Sequence, residues 1–136
     1  MKFTHRLIVR FADTDANGHV FFANYLTYFD QALIHYLKEI GYDFPRFTEQ
    51  GLTFYYVEAL TRFKAGAVFD QLLDVSAAVS RFGRTSFHVE FEIYEAASGS
   101  FINSGHIASV VVDQKTGNPV PVPEDFKTAV RAYDDR

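Results

Sequence analysis

The sequence predicts an α+β fold, one five-stranded antiparallel sheet covered by a single long helix, and three observations lead there. A polar–apolar alternation opens the chain. One long stretch then repeats its apolar residues at helical spacing, and four alternating segments follow it in succession. Phe3, His5, Leu7, Val9 and Phe11 share one face of a strand over 3–11, with Thr4, Arg6 and Arg10 on the other. Phe22, Leu26, Phe29, Leu33, Tyr36 and Ile40 recur at spacings of four and three, one face of a helix. Asn24 is its expected N-cap, Lys38 suits its last turn, and Gly41 supplies the left-handed residue that ends it. Tyr25, Tyr28, Ala32 and Leu37 broaden the apolar stripe, so this helix, ~24 Å long at 1.5 Å per residue, is expected to be wrapped on more than one side.

The remaining strands are expected over 52–65, 72–82, 84–96 and 101–113, the third alternating most cleanly through Phe87, Val89, Phe91 and Ile93. Phe82-Gly83 and Ser98-Gly99 carry hairpin-turn chemistry, Thr116-Gly117-Asn118-Pro119 is a turn, and Pro123-Glu124-Asp125 opens a short C-terminal helix. No repeat or linker interrupts residues 1–136, which are expected to form a single domain.

Composition narrows the function. Fifteen Phe and eight Tyr imply a bulky core or a ring-lined pocket. A net charge of −4 argues against nucleic acid as a partner, since phosphate binding needs basic surface. The absence of cysteine removes disulfides, thiolate metal sites and a Cys nucleophile. The N-terminal segment has no continuous apolar run and no stretch reaches the ~18 apolar residues of a membrane span, so a cytoplasmic protein without membrane attachment is expected. His5, His35, His88 and His106 show no ligand spacing, and no metal is expected. Neither a G-x-S-x-G elbow nor a glycine-rich phosphate loop is present.

The turn Asp13-Thr14-Asp15-Ala16-Asn17-Gly18-His19-Val20 raises the sharpest question. Asp13, Asp15, Asn17 and Gly18 match the opening of a calcium-binding EF-hand loop, but its twelfth position falls on Asn24 instead of Glu and a strand replaces the entering helix. Plain turn chemistry accounts for Asp and Asn-Gly through backbone hydrogen bonds and positive φ. The catalytic reading comes from position. A carboxylate beside the unpaired first amides of a long helix, among aromatic rings, suits acyl transfer, as nucleophile or as base for water.

Phe11, Asp13, Asp15, Gly18, Val20, Asn24 and Tyr25 together read F-x-D-x-D-x-x-G-x-V-x-x-x-N-Y, which resembles the N-terminal signature of the 4-hydroxybenzoyl-CoA thioesterase family. The likeness continues through Arg84-Thr85-Ser86-Phe87, Val110-Val111-Val112-Asp113 and the ending at Pro119–Pro123, nearly the whole chain. It implies a hotdog fold, in which the sheet wraps the helix, and an acyl-CoA hydrolase that needs no cofactor. By position it makes Asp15 the catalytic carboxylate and the backbone N–H near Phe22 the group that polarises the thioester carbonyl. Some family members carry His at position 22 and Tyr at position 11; this chain has Phe at both, and resembles the aromatic-CoA branch in its ring at 22.

His19 adjoins the turn as a candidate for orienting water or substrate, against a plain turn role. Glu58, alone in an apolar strand stretch, is a candidate supporting acid or an outward-facing polar residue. Arg84, and Arg81 across Gly83, are candidates for gripping the phosphates of coenzyme A. Acyl-binding without catalysis, and dehydratase or isomerase chemistry on the same thioesters, are the alternatives. One sheet around one helix leaves exposed edges, so a homo-oligomer is expected, a dimer or a dimer of dimers with sites between subunits, as the resemblance also implies.

Overall fold

In the computed structural model, which describes residues 1–136, the first alternating segment forms β1 (Phe3–Ile8) and the helical stretch forms α1 (Asn24–Glu39). A short helix α2 (Phe44–Glu49) leads into β2 (Leu52–Phe63), β3 (Leu72–Phe82), β4 (Ser86–Glu95) and β5 (Phe101–Asp113), and α3 (Glu124–Asp134) closes the chain. The five strands make one antiparallel sheet in the order β1-β3-β4-β5-β2. This is the α+β hotdog architecture that the sequence predicts.

Packing follows from the alternation. Leu73, Val75 and Ala77 of β3, with Phe87, Val89, Phe91 and Ile93 of β4, all face the helix and are buried. From α1 they receive Tyr28, Phe29, Ala32, Leu33, Tyr36 and Leu37. Each fully buried Leu or Phe contributes on the order of 1.5–3 kcal/mol. Phe29 lies flat against Phe91 with ring centres 4.6 Å apart, and Gly105 permits that approach. A Cβ at Gly105 would stand 2.7 Å from the Phe29 ring and closer still to the Leu60 carbonyl. The helix ends as expected: Gly41 takes φ 80° and Tyr42 N–H donates to the Leu37 carbonyl at 2.9 Å.

Four details differ from the sequence-based expectations. The first strand stops at Ile8, because the chain turns through a 3-10 segment, Phe11–Asp13, that leaves Phe11 76% exposed. The helix starts at Asn24 itself, one residue earlier than an Asn24 N-cap implies, so Ala23 is its N-cap and Phe22 lies before it. Asn24 instead sends its side-chain amide to the Asp13 carbonyl at 2.9 Å. The α2 helix was not expected; six residues are too few to show a period, although Asp43 ahead of Phe44-Pro45 marks its start.

The sheet has two unequal edges. β1 is short and carries Arg6, paired through two hydrogen bonds with Asp74. β2 is twelve residues long, bulges between Tyr56 and Glu58, and exposes Tyr55, Val57, Leu60 and Phe63. No helix is long and apolar enough to cross a membrane.

Candidate active site

The turn after β1 is built in two halves. In the first, Asp13 N–H donates to the Arg10 carbonyl at 3.0 Å, closing the 3-10 segment. The Asp13 carboxylate, 4% exposed, accepts from the Arg10 backbone N–H at 3.0 Å, from the Arg10 guanidinium at 2.8 Å and from the Tyr28 hydroxyl at 2.9 Å. Burial pushes the Asp13 carboxyl up, but the hydrogen bonds from Arg10 and Tyr28 outweigh it and hold the group below its ordinary value. The Asp13 carbonyl also accepts from Phe21 N–H and from the Asn24 side chain, each at 2.9 Å. Asp13 therefore ties β1, the turn and the helix start together.

The second half is a miniature hairpin with Thr14 bridging Val20. Asp15 N–H donates to the His19 carbonyl at 2.9 Å, Gly18 N–H to the Asp15 carbonyl at 3.0 Å, and Gly18 takes φ 79°. Asn17 N–H donates to Asp15 Oδ1 at 2.9 Å, the Asx turn that Asp favours. Asp15 Oδ2 has no protein partner. After Val20 and Phe21 bond to the Ala67 and Asp13 carbonyls, the amides of Phe22 and Ala23 have no acceptor within the protein. A half-bonded carboxylate and free helix-start amides thus stand a few residues apart.

Asp15, His19, Phe22 and Tyr25 line one wall of a cleft of about 400 Å³; Phe63, Lys64 and Gly66, at the end of β2 and just beyond, line the other. The walls are stitched together. Val20 N–H donates to the Ala67 carbonyl at 2.9 Å, and His19 lies over Gly66 so closely that a Cβ there would stand 2.9 Å from the imidazole. The Tyr25 hydroxyl accepts from Ala67 N–H at 3.1 Å.

The structure thus brings together Asp15, His19 and Phe22 from the sequence-predicted set. It does not bring in the others within one chain. Arg81 and Arg84 are exposed at the β3–β4 turn, at the far end of an 11-residue strand about 36 Å long at ~3.3 Å per residue. Glu58 is not buried. It points outward from β2, 64% exposed, and pairs with His106 Nε2 at 2.7 Å. The histidines are less scattered than the sequence suggests, for His5 and His35 stack with ring centres 4.2 Å apart. The EF-hand reading fails on geometry, because Asp13 turns away from Asp15 into its bonds with Arg10 and Tyr28. No three His, Asp or Glu side chains converge as a metal site would require. Sequence reasoning missed Phe63, Lys64 and Gly66, which lie more than forty residues downstream and bear no motif of their own.

The sequence profile of the thioesterase-like superfamily matches residues 9–130. The chain belongs to this superfamily. Within the superfamily, the chain is 29% identical to a 1,4-dihydroxy-2-naphthoyl-CoA hydrolase from Thermosynechococcus vestitus, covering 94% of this chain and 90% of the relative. It is 32% identical to the L-carnitine dehydrogenase/betainyl-CoA thioesterase of Rhizobium meliloti over 90% of this chain, which spans only 25% of that longer protein. A gentisyl-coenzyme A thioesterase superposes with a TM-score of 0.83 at 29% identity, covering 93% of this chain and 98% of that one.

Proposed function

We propose that this thioesterase-like protein hydrolyses acyl-CoA thioesters, with Asp15 carrying the chemistry. The observation behind the proposal is the pairing of a carboxylate bonded through one oxygen only with the unpaired Phe22 amide, on one wall of a ring-lined cleft. The Phe22 N–H, with the positive end of the α1 dipole, polarises the thioester carbonyl. Asp15 then either attacks the carbonyl carbon, giving an acyl-aspartyl anhydride that water opens, or takes a proton from the attacking water. Both routes release the free acid and coenzyme A thiol. The relatives named above act on bulky or polar acyl groups, which supports an aromatic, branched or short-to-medium acyl group here. Thiol release from a panel of acyl-CoA esters, followed with a thiol reagent, tests the reading; no release from any of them would overturn it. Single turnover in 18O water tests for an anhydride opened at its aspartyl carbon, because only then does an oxygen of Asp15 pass to the first product and 18O enter Asp15.

The active unit is a homo-oligomer in this proposal. The exposed apolar edge of β2 favours antiparallel pairing with the same edge of a second copy. Such pairing sets the β3–β4 turn of one copy at the same end as the cleft of the other, which is how Arg84, with Arg81, reaches the phosphates of coenzyme A. Mixing Asp15→Asn with Arg84→Ala protein should restore activity after subunit exchange. A fully active monomer in light scattering would refute the arrangement.

A further inference from the structure

The two aspartates of the turn each have a tyrosine in the first turns of α1. Tyr28 donates its hydroxyl proton to Asp13 at 2.9 Å. Tyr25 is 2% exposed, lines the same cleft as Asp15, and packs edge-on against Phe63 with ring centres 5.6 Å apart. Its oxygen accepts a proton from Ala67 N–H at 3.1 Å, but its own O–H proton has no acceptor within the protein. A buried hydroxyl donor left without a partner is disfavoured, so its position calls for a ligand. Ala67 N–H occupies one side of the phenol oxygen, and Ala67 is fully buried and does not line the cleft, whereas Tyr25 does; the side of the oxygen open to a ligand is therefore taken to be the cleft side. Burial pushes the Tyr25 phenol up, the Ala67 N–H draws it down, and the charge of Asp15 pushes it up again, the net shift being upward. The hydroxyl stays protonated across the neutral range.

We infer that Tyr25 is a further catalytic residue, whose hydroxyl donates to the thioester carbonyl oxygen beside the Phe22 amide. The inference rests on the thioesterase reading above. Attack on the carbonyl carbon, by Asp15 or by water, moves the C=O π pair onto that oxygen. Two donors, one N–H and one O–H, then hold the developing oxyanion. Collapse reforms the carbonyl, breaks the C–S bond and expels coenzyme A as the thiolate, while Tyr25 keeps its proton throughout. The Ala67 N–H has a distinct task, fixing the phenol oxygen so that the donor is in place before substrate arrives.

Two substitutions test this. Tyr25→Phe should lower kcat about a hundredfold, the scale of losing one oxyanion donor, with KM changed little. Because Tyr25→Phe also leaves Ala67 N–H unpaired, a fluorotyrosine that ionises near neutral pH is placed at position 25 as well. It preserves the packing and the Ala67 bond. A required O–H donor then creates a new alkaline limb in the kcat profile that tracks the acidity of the substituted phenol; a purely structural tyrosine creates none. Retention of kcat within about twofold in Tyr25→Phe, or a fluorotyrosine enzyme with no new limb, would overturn the assignment. Unaltered protein that releases no thiol overturns the thioesterase reading itself, and that is measured first.

Discussion

Residues 10–13 and residues 15–19 form two halves of one turn, each holding one aspartate, and they use the same side chain in opposite ways. In the first half the carboxylate is buried and both of its oxygens are engaged by Arg10 and Tyr28. In the second, backbone hydrogen bonds within the turn satisfy the hairpin, leaving Asp15 bonded at one oxygen and the exposed His19 ring resting on Gly66. A buried charge is tolerated only when it is paired and hydrogen-bonded, so Asp13 can hold the chain but is poorly placed to react. The division teaches that the two aspartates of D-x-D differ in their number of partners: Asp13 is saturated and holds the fold, while Asp15 keeps one oxygen open, as the proposed chemistry requires.

The strongest way to break this comparison is to neutralise each aspartate in turn. Asp15→Asn keeps the acceptor for Asn17 N–H yet removes the carboxylate proposed as nucleophile or base, so turnover should fall by about two orders of magnitude or more. Its melting temperature should stay near that of the unaltered protein. Near-normal turnover in Asp15→Asn, with an inactive but folded Asp13→Asn, would assign the chemistry to the wrong carboxylate.

The reverse pattern is expected of Asp13→Asn. Its amide cannot match the hydrogen bonds that the carboxylate accepts from Arg10 and Tyr28. The guanidinium left behind is largely exposed and solvated, so a loss of about 1–3 kcal/mol is expected, read as a drop in chemical denaturation midpoint. The acid response should separate the halves further. The Asp13 carboxyl is held below its ordinary value, so its stabilising contribution is complete above about pH 4 and is lost as pH falls through the lowered value. The stability gap between Asp13→Asn and the unaltered protein should therefore be full at neutral pH and shrink below that range. A gap independent of pH would mean that the Asp13 charge contributes nothing to the fold.

Much of the fold could be read from the chain, because each strand packs one face against the helix and so alternates visibly. The bounds of β3 and β5 agree with the alternation to the residue. The helix face through Phe29, Leu33 and Tyr36 is buried as read, and only Phe22 departs from it: it fits the period by chance, lies before the helix and is 62% exposed. Asp15, His19 and Phe22 were legible as a site because a single turn places them within eight residues. Phe63, Lys64 and Gly66 were not, since long-range contacts such as the Val20–Ala67 and Tyr25–Ala67 bonds, which leave no local pattern, carry them to the turn. Arg84 shows the complementary limit. Its motif was legible, but not its position at the opposite end of the sheet from Asp15.

The smallest expected effect concerns the loose half of the turn. His19 rests on Gly66, where an added Cβ would meet the imidazole at 2.9–3.2 Å, tighter than ordinary van der Waals contact. The backbone at Gly66 is outside the left-handed region, so alanine meets no φ strain there. The imidazole is at the surface and can yield, so Gly66→Ala should change stability by less than about 0.5 kcal/mol. The displaced ring no longer borders the cleft as before. If His19 orients water or substrate, kcat/KM should fall about threefold in Gly66→Ala, and the effect should vanish when His19→Ala is already present, as coupled neighbours require. Equal losses in both backgrounds would place the effect on the cleft wall itself. No loss in either Gly66→Ala or His19→Ala would remove His19 from the proposed reaction.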